Sequence, residues 1–391
     1  MIEFISEEQC CLCKACKNVC PVGAISFSCE INSFFYPKVD SKKCINCDKC
    51  EKVCPALNKV TKHNSLNLAY ASFSKDIANR ENSSSGGIFF ECAKEFINEG
   101  GSVCGAVWDE SFRVKHIISN DISTITKMRG SKYVQSDMGT TYQMINKMLV
   151  DGHKVLFSGC PCQVNALHSY LKKDYSNLFS VDFVCHGIPS ARAFQEYKEV
   201  LEKKYGSKIK NVSFRDKSYG WHSGSVKIEF ENGKVYQNPI TVDPYMRAFL
   251  SGTMMKESCY LCKYKLGRSY SDITLADFWG AEVLFPELDD NKGLSAVVVN
   301  TEKGLNFISN LDINLYETDI QNVINYNKNL VHPTTRSNIR KIFLEECTQY
   351  GYGETIIRTF GETFYETMAR KFRYNIRCFY YHLRGRGKPL Y

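Results

Sequence analysis

The sequence predicts an α+β protein: a small module built on cysteines, followed by a larger mixed α/β domain. Three observations lead there. Cysteines at 10, 13, 16 and 20 recur at 44, 47, 50 and 54, and each set is followed by proline, Pro21 and Pro55. Beyond Leu68 the apolar period switches repeatedly between 2 and 3.6, the periods of strands and helices. The composition, 43% hydrophobic and 24% charged, is that of a globular chain and excludes disorder, collagen and low complexity for the bulk. At 391 residues the chain suits two or three domains. The expected division is 1–60, 68–340, and a basic aromatic helical tail over 341–391.

In chain order, the duplicated cysteine module needs metal for part of its stability, because about 60 residues build too small a core. A polar linker follows, Asn58 to Ser65. LAYASFS (68–74) reads as a strand. The stretch 86–100 reads as a helix capped by Ser84 or Ser85. SVCGAVW (102–108) and FRVKHII (112–118) read as strands. Helices near 138–150, 162–172 and 190–204 alternate with strands at 153–158 and 177–184. KNVSFRD and SVKIEFEN read as a hairpin-like meander. No apolar run approaches the ~18 residues of a spanning helix.

Nineteen cysteines are the unusual number, ten of them before residue 55. The opening MIEFISEEQC is acidic and has no secretory pattern. The expectation is therefore a reducing, cytoplasmic setting in which clustered thiols bind metal or do redox chemistry. The net charge of +8 is concentrated at the end. Arg370, Lys371, Arg373, Arg377, Arg384, Arg386 and Lys388 leave the rest near neutral. No nucleic-acid partner is expected.

C-x2-C-x2-C-x3-C-P is the bacterial two-cluster ferredoxin pattern. Three thiolates of one tight loop reach three irons of a cubane, and the fourth iron takes the last cysteine of the other repeat. One [4Fe-4S] cluster is thus assigned to Cys10, Cys13, Cys16 and Cys54, and the other to Cys44, Cys47, Cys50 and Cys20. Cys11 and Cys29 are spare. Paired zinc sites are the competing reading, and the duplicated triple spacing disfavours them.

Five later cysteines sit in turn-like contexts: Cys160-Pro161-Cys162, Cys185, and Cys259-x2-Cys262. Cys162 and Cys185 follow strands, at carboxyl ends where α/β folds place ligands. A third metal site, ordinary buried cysteines, and a Cys160–Cys162 redox pair are all compatible with the spacing. Cys92, Cys104, Cys347 and Cys378 read as core or surface residues. Ser83 to Gly87 precede a helix, a place where phosphate or a simple N-cap fits. Met128 to Tyr133 adds Arg129 and Lys132. Together the two loops would suit a dinucleotide such as FAD, and a flavin joins one-electron to hydride chemistry.

These residues resemble the family of coenzyme F420 hydrogenase/dehydrogenase beta subunits, in its form fused to an N-terminal ferredoxin. SSGG (84–87), RGSKYVQS (129–136), SGCPCQ (158–163), CHGIPS (185–190), CYLCKY (259–264) and SDITLADFWG (271–280) carry the resemblance, over about residues 1–300. It implies an iron–sulfur flavoprotein with a flavin-binding larger domain, exchanging electrons with a hydride carrier or substrate such as a deazaflavin or a chlorophyll derivative. It implies Cys162, Cys185, Cys259 and Cys262 as ligands of a third [4Fe-4S] cluster. It also implies Ser85, Gly86, Gly87, Arg129, Ser131 and Lys132 near FAD. Asp272 and Asp277 are structural or near-site residues. Cys160 stands where the family has a small non-cysteine residue, which makes it an alternative fourth ligand.

His186 is the candidate proton donor, against the blander reading that it hydrogen-bonds a strand end. His222 beside Trp221 is similarly ambiguous. No carboxylate pair or Ser–His–Asp arrangement points to a hydrolase. The tail suits a solvated helix, an anionic membrane surface, or an acidic redox partner such as a ferredoxin or another oxidoreductase subunit. The expected function is an iron–sulfur flavoprotein oxidoreductase acting on a small redox substrate. A noncatalytic electron-transfer subunit is the alternative, and a zinc-stapled binding protein is remote.

Overall fold

The structure is a computed structural model describing residues 2, 5–58, 66–363, 365, 366, 368–370 and 372. Most of the expected linker, and residues 364, 367, 371 and 373–391 of the tail, Cys378 included, lie outside the described residues. The chain forms two compact units that run across the three segments read from sequence. The first comprises Met1–Arg129, Val134–Ala191 and Met255–Thr335; the second comprises Gly130–Tyr133, Arg192–Met254 and Arg336–Tyr391.

A nine-stranded mixed sheet organises the first unit. Its strand order is 313–318, 68–74, 295–299, 273–277, 178–183, 155–158, 102–108, 114–119 and 136–137. The strands Ile273–Asp277, Leu178–Phe183, Val155–Ser158 and Ser102–Trp108 run parallel to their neighbours in this series. Antiparallel partners flank them on both sides. The parallel centre is apolar because both faces are covered. Val155 and Phe157 enter one core with Val164, Leu167, Leu171 and Leu178. Leu156, Phe179 and Val181 enter the other, with Ile88, Phe96 and Ile308. Alternate residues thus point to opposite faces.

The cysteine module lies in this same unit and adds an antiparallel hairpin, Ile25–Ile31 with Phe34–Val39, which the sequence reading did not anticipate. Cys11, Cys13, Ala15 and Val53 enter the core that contains Val164 and Leu167. Ser33 donates to Ser190 at 2.6 Å, a buried tie across the two parts of the unit. The module therefore borrows apolar partners from the sheet instead of relying on metal alone.

The helix Ile88–Asn98 differs from expectation at its start. Its N-cap is Gly87 at φ 89°, with no side-chain cap, so neither Ser84 nor Ser85 caps it. Ser85 instead donates to Leu294 O, and Gly86 N–H donates to Ser295 Oγ. A Cβ at Gly86 would meet Ser72 O at 2.4 Å, so close backbone approach alone demands glycine there.

The second unit carries a three-stranded antiparallel sheet, Ile209–Asp216, Ser225–Phe230 and Val235–Pro239, matching the expected meander. Buried Asp243 accepts from Tyr197 and Tyr236 hydroxyls and from Met246 N–H at the start of the helix Pro244–Leu250. The helices Arg340–Tyr350 and Tyr352–Phe360 begin the segment expected to be helical. Among the described residues, no helix is long and apolar enough to cross a membrane.

Asp272 is structural. It is 4% exposed. It accepts from Ser180 N–H and Thr301 Oγ1, both at 2.8 Å, and pairs with Lys303 at 3.1 Å. It thereby ties neighbouring strands to the helix Glu302–Ser309. Asp272→Ala strands the buried Ser180 N–H and should cost about 2 kcal/mol, the scale for an unsatisfied buried donor. Anaerobic urea unfolding should show that loss while iron content stays unchanged.

Candidate iron–sulfur centres

Both cysteine loops repeat one backbone. Leu12 and Lys14 have φ of 58° and 63°, and their counterparts Asn46 and Asp48 have 53° and 54°. Left-handed conformations in non-glycine residues cost roughly 1–2 kcal/mol each and gather where a site demands them. Here they curl each loop so that thiols and N–H groups converge. Backbone N–H groups of Leu12, Ala15 and Lys17 lie near Cys10, Cys13 and Cys16 respectively and favour their thiolates, as those of Ala56 and Leu57 do for Cys54. Ala24 N–H meets Cys20 Sγ at 3.2 Å.

The two groupings cross between repeats. Cys16 feels Cys13, Cys10 and Cys54, and Cys54 lies by Cys13. Cys20, Cys44, Cys47 and Cys50 line a single pocket of about 410 Å³. Burial pushes Cys10 up to about 12 and Cys54 up to about 11. A cation is what makes such sulfurs stable as thiolates. Donor type, N–H support and the crossed grouping fit a pair of iron–sulfur clusters. Cys29 is exposed, on the bulged part of the hairpin.

Cys162, Cys185, Cys259 and Cys262, from three separate segments, line another pocket of about 580 Å³, together with Cys11, His186 and Lys256. Local folding sets each one. Cys162 lies in the first turn of the helix Pro161–Leu171, where Pro161 needs no N–H partner and Gln163 accepts from Cys160 N–H at 2.9 Å. Cys185 follows the strand Leu178–Phe183, the parallel neighbour of Val155–Ser158. Cys259 lies in the short helix Glu257–Tyr260.

Two further thiols adjoin this group. Cys11 lies beside Cys13 and Cys162, and Cys160 beside Cys162 and Cys185. Their pKa values rise. Cys162 falls well below the usual thiol value, chiefly through the Cys11 and Cys160 hydrogen bonds, and Cys185 falls chiefly through that from Cys160. Burial pushes Cys259 up to about 12 and Cys262 up to about 11. Lys256, 4% exposed, donates from Nζ to Cys11 O at 2.5 Å.

The residues expected near a flavin divide between the units. Ser85, Gly86, Gly87 and Arg129 belong to the first, and Ser131 and Lys132 to the second. Arg129 lies over the Phe90 ring at 4.5 Å, in the first turn of the helix Ile88–Asn98. Lys132 donates to Gly130 O, and burial draws its ammonium down to about 7. The internal hydrogen bonds of Ser85 and Gly86 account for that loop without a cofactor. His186 Nδ1 meets Asn329 Oδ1 at 3.1 Å, and its carbonyl accepts from Thr334. His222 lies 4.8 Å from the buried Trp221 ring, within the second unit.

Residues 152–321 match the family defined by the carboxyl terminus of the coenzyme F420 hydrogenase/dehydrogenase beta subunit. Residues 9–58 match the 4Fe-4S dicluster domain. These matches put a region similar to the carboxyl terminus of coenzyme F420 hydrogenase/dehydrogenase beta subunits behind a 4Fe-4S dicluster module. A subunit of the F(420)H(2) dehydrogenase of Methanosarcina mazei is 24% identical over 245 residues, covering 60% of this chain. The match spans 65% of that curated relative's length. A chain of the F420-reducing [NiFe] hydrogenase complex from Methanosarcina barkeri aligns at 17% identity and a TM-score of 0.45. That alignment covers 74% of this chain and 94% of the other. The two matches together describe an iron–sulfur module joined to a region of oxidoreductase type.

Sequence reasoning set Cys11 aside for wrong spacing and passed over Lys256 and Asp182. Thiol count alone flagged Cys11. A lysine before Glu-Ser-Cys carries no recognisable signal. Asp182 is 1% exposed and lines a pocket of about 340 Å³ with Cys185, Tyr264, Lys265 and Ser269. Among the described residues neither of its oxygens has a hydrogen-bond partner, though the nearby Ser269, Thr274 and Ser271 hydroxyls favour the anion. Burial pushes its carboxyl up from 3.8 to about 6. The folded state therefore holds this proton more tightly than the unfolded chain, so stability falls as pH rises between those values. Asp182→Asn removes the penalty. Urea unfolding should show the variant more stable by roughly 3 kcal/mol at pH 8, about 1.4 kcal/mol per pKa step, and by about half that at pH 5.

Proposed function

We propose that this protein is an iron–sulfur flavoprotein oxidoreductase that moves electrons between thiolate-bound clusters, FAD and a soluble hydride acceptor or donor. In this reading Cys10, Cys13, Cys16 and Cys54 hold one [4Fe-4S] cluster, and Cys44, Cys47, Cys50 and Cys20 hold a second. Cys162, Cys185, Cys259 and Cys262 hold a third. One observation carries the reading: these four later thiols, scattered along the sequence, line a single pocket that Cys11 of the dicluster module also lines. A wire needs that adjacency.

FAD supplies the change from single electrons to hydride. Its phosphates are assigned to the uncapped first turn at Gly87, with Arg129 beside Phe90. Ser85, Gly86, Ser131 and Lys132 are the further candidates near it. His186, oriented through Asn329, is the candidate proton donor facing the thiol pocket. A redox protein is the proposed partner, by analogy with the relative whose name describes a dehydrogenase subunit.

A second reading has one observation in its favour. The Ser85–Gly86 loop is fully explained by packing, as a noncatalytic electron-transfer subunit without flavin would allow. Anaerobic purification separates the two. The first predicts about 12 iron and one flavin per chain, whereas the second predicts the iron without flavin. Cys259→Ser should lower iron by about four per chain with the module's signals intact. Unchanged iron would remove the third cluster from the scheme.

A further inference from the structure

We infer that Asp182 and Ser269 hold a small monovalent cation, sodium or potassium, in the pocket under the loop that follows Cys262. Asp182 is 1% exposed, and among the described residues neither of its oxygens has a hydrogen-bond partner. Ser269 Oγ is buried and lacks a partner among them as well. Both residues line the same pocket of about 340 Å³. Parallel pairing sets Thr274 beside Asp182 on the sheet. Asn300 Nδ2 donates to Ser271 Oγ and Thr274 Oγ1, both at 3.0 Å, and so fixes two further hydroxyl oxygens near the carboxylate. A carboxylate and hydroxyls are oxygen ligands of the kind that hard cations take.

A buried carboxylate is stable when an opposite charge pairs with it or a proton neutralises it. The lysine that lines this pocket is engaged elsewhere: Lys265 Nζ donates to Asn329 O at 2.8 Å and to Cys185 O at 3.2 Å. Asp182 brings one negative charge and the hydroxyls bring none, so one positive charge balances the site. A divalent ion would leave a surplus. Calcium asks for about six to eight oxygens, and magnesium for a near-octahedral set. The ion's place gives it a task. Ser269 belongs to the loop that leaves Cys262, and Asp182 to the strand Leu178–Phe183 that leads to Cys185. A cation shared by the two ties that loop down onto the sheet. The site needs neither a third cluster nor a flavin, so it stands or falls apart from the proposed function.

The test is urea unfolding of the anaerobic full-length protein at pH 8, in potassium, sodium or tetramethylammonium chloride at equal ionic strength. The wild-type midpoint should rise with potassium or sodium, because an ion that binds only the folded state stabilises it by mass action. The larger rise names the preferred ion. Tetramethylammonium, whose methyl groups keep oxygen ligands from its charge, should leave the midpoint unmoved. Asp182→Asn should show one midpoint in all three salts. Its advantage over wild type should therefore be greatest in tetramethylammonium and shrink in the preferred cation. Ser269→Ala, which removes no charge, should need about tenfold more cation for the same rise. Sodium-23 resonance reads the site without unfolding: excess line broadening in wild type, removed by added potassium and absent in Asp182→Asn. Equal wild-type midpoints in the three salts would overturn the inference and leave Asp182 a neutral acid. An equal rise in Asp182→Asn would overturn it too, by placing the ion elsewhere.

Discussion

Sulfur anions resist being gathered inside a protein. Each loses water, and each repels the next. This chain nevertheless brings cysteines together at three places, and burial drives several of them toward the neutral thiol. Two remedies are built in. Backbone N–H groups in left-handed loops lie near the sulfurs of the module. Around the later group, spare thiols and a buried ammonium stand beside the sulfurs. In the dicluster module iron–sulfur clusters complete the charge balance that these groups leave unfinished, and at the later group the proposed third cluster would do so.

The scaffold serves that constraint. Parallel strands end together, so the residues just after Val155–Ser158 and Leu178–Phe183 emerge side by side. The helix beginning at Pro161 directs its positive end toward Cys162. The pairing of Pro189 with Met255 and the bond from Lys256 N–H to Ile188 O bring the Cys259–Cys262 segment to the same place. Side chains far apart in sequence become neighbours because the backbone has few other ways to satisfy its hydrogen bonds there.

Much of this was legible beforehand. The duplicated spacing announced the module, and its repeat is visible even in the matching φ values of Leu12 and Asn46. Strands 68–74 and 102–108 stand where they were expected, because short apolar runs bounded by turn residues mark buried strands. The grouping of Cys162, Cys185, Cys259 and Cys262 was reached through family motifs, since spacing cannot reveal which distant turns meet. What escaped is instructive. Gly87, not a serine, starts its helix because Ser85 is drawn to Leu294 O. The hairpin of Ile25–Val39 went unread although Ile25, Phe27, Cys29 and Ile31 alternate with polar residues. Asp182 looked like an ordinary strand residue, and only the pocket beneath it explains its raised carboxyl pKa.

The insertion of Cys13, Ala15 and Val53 among Val164, Leu167 and Tyr264 has an evolutionary corollary. A fusion that shares one oil-like interior is no longer two proteins joined by a string. Cutting off the leading segment would leave a greasy hollow beside the helix Pro161–Leu171, so the ancestral partners have lost the freedom to part. Damage by oxygen at the front end would accordingly be felt as loosening at the back.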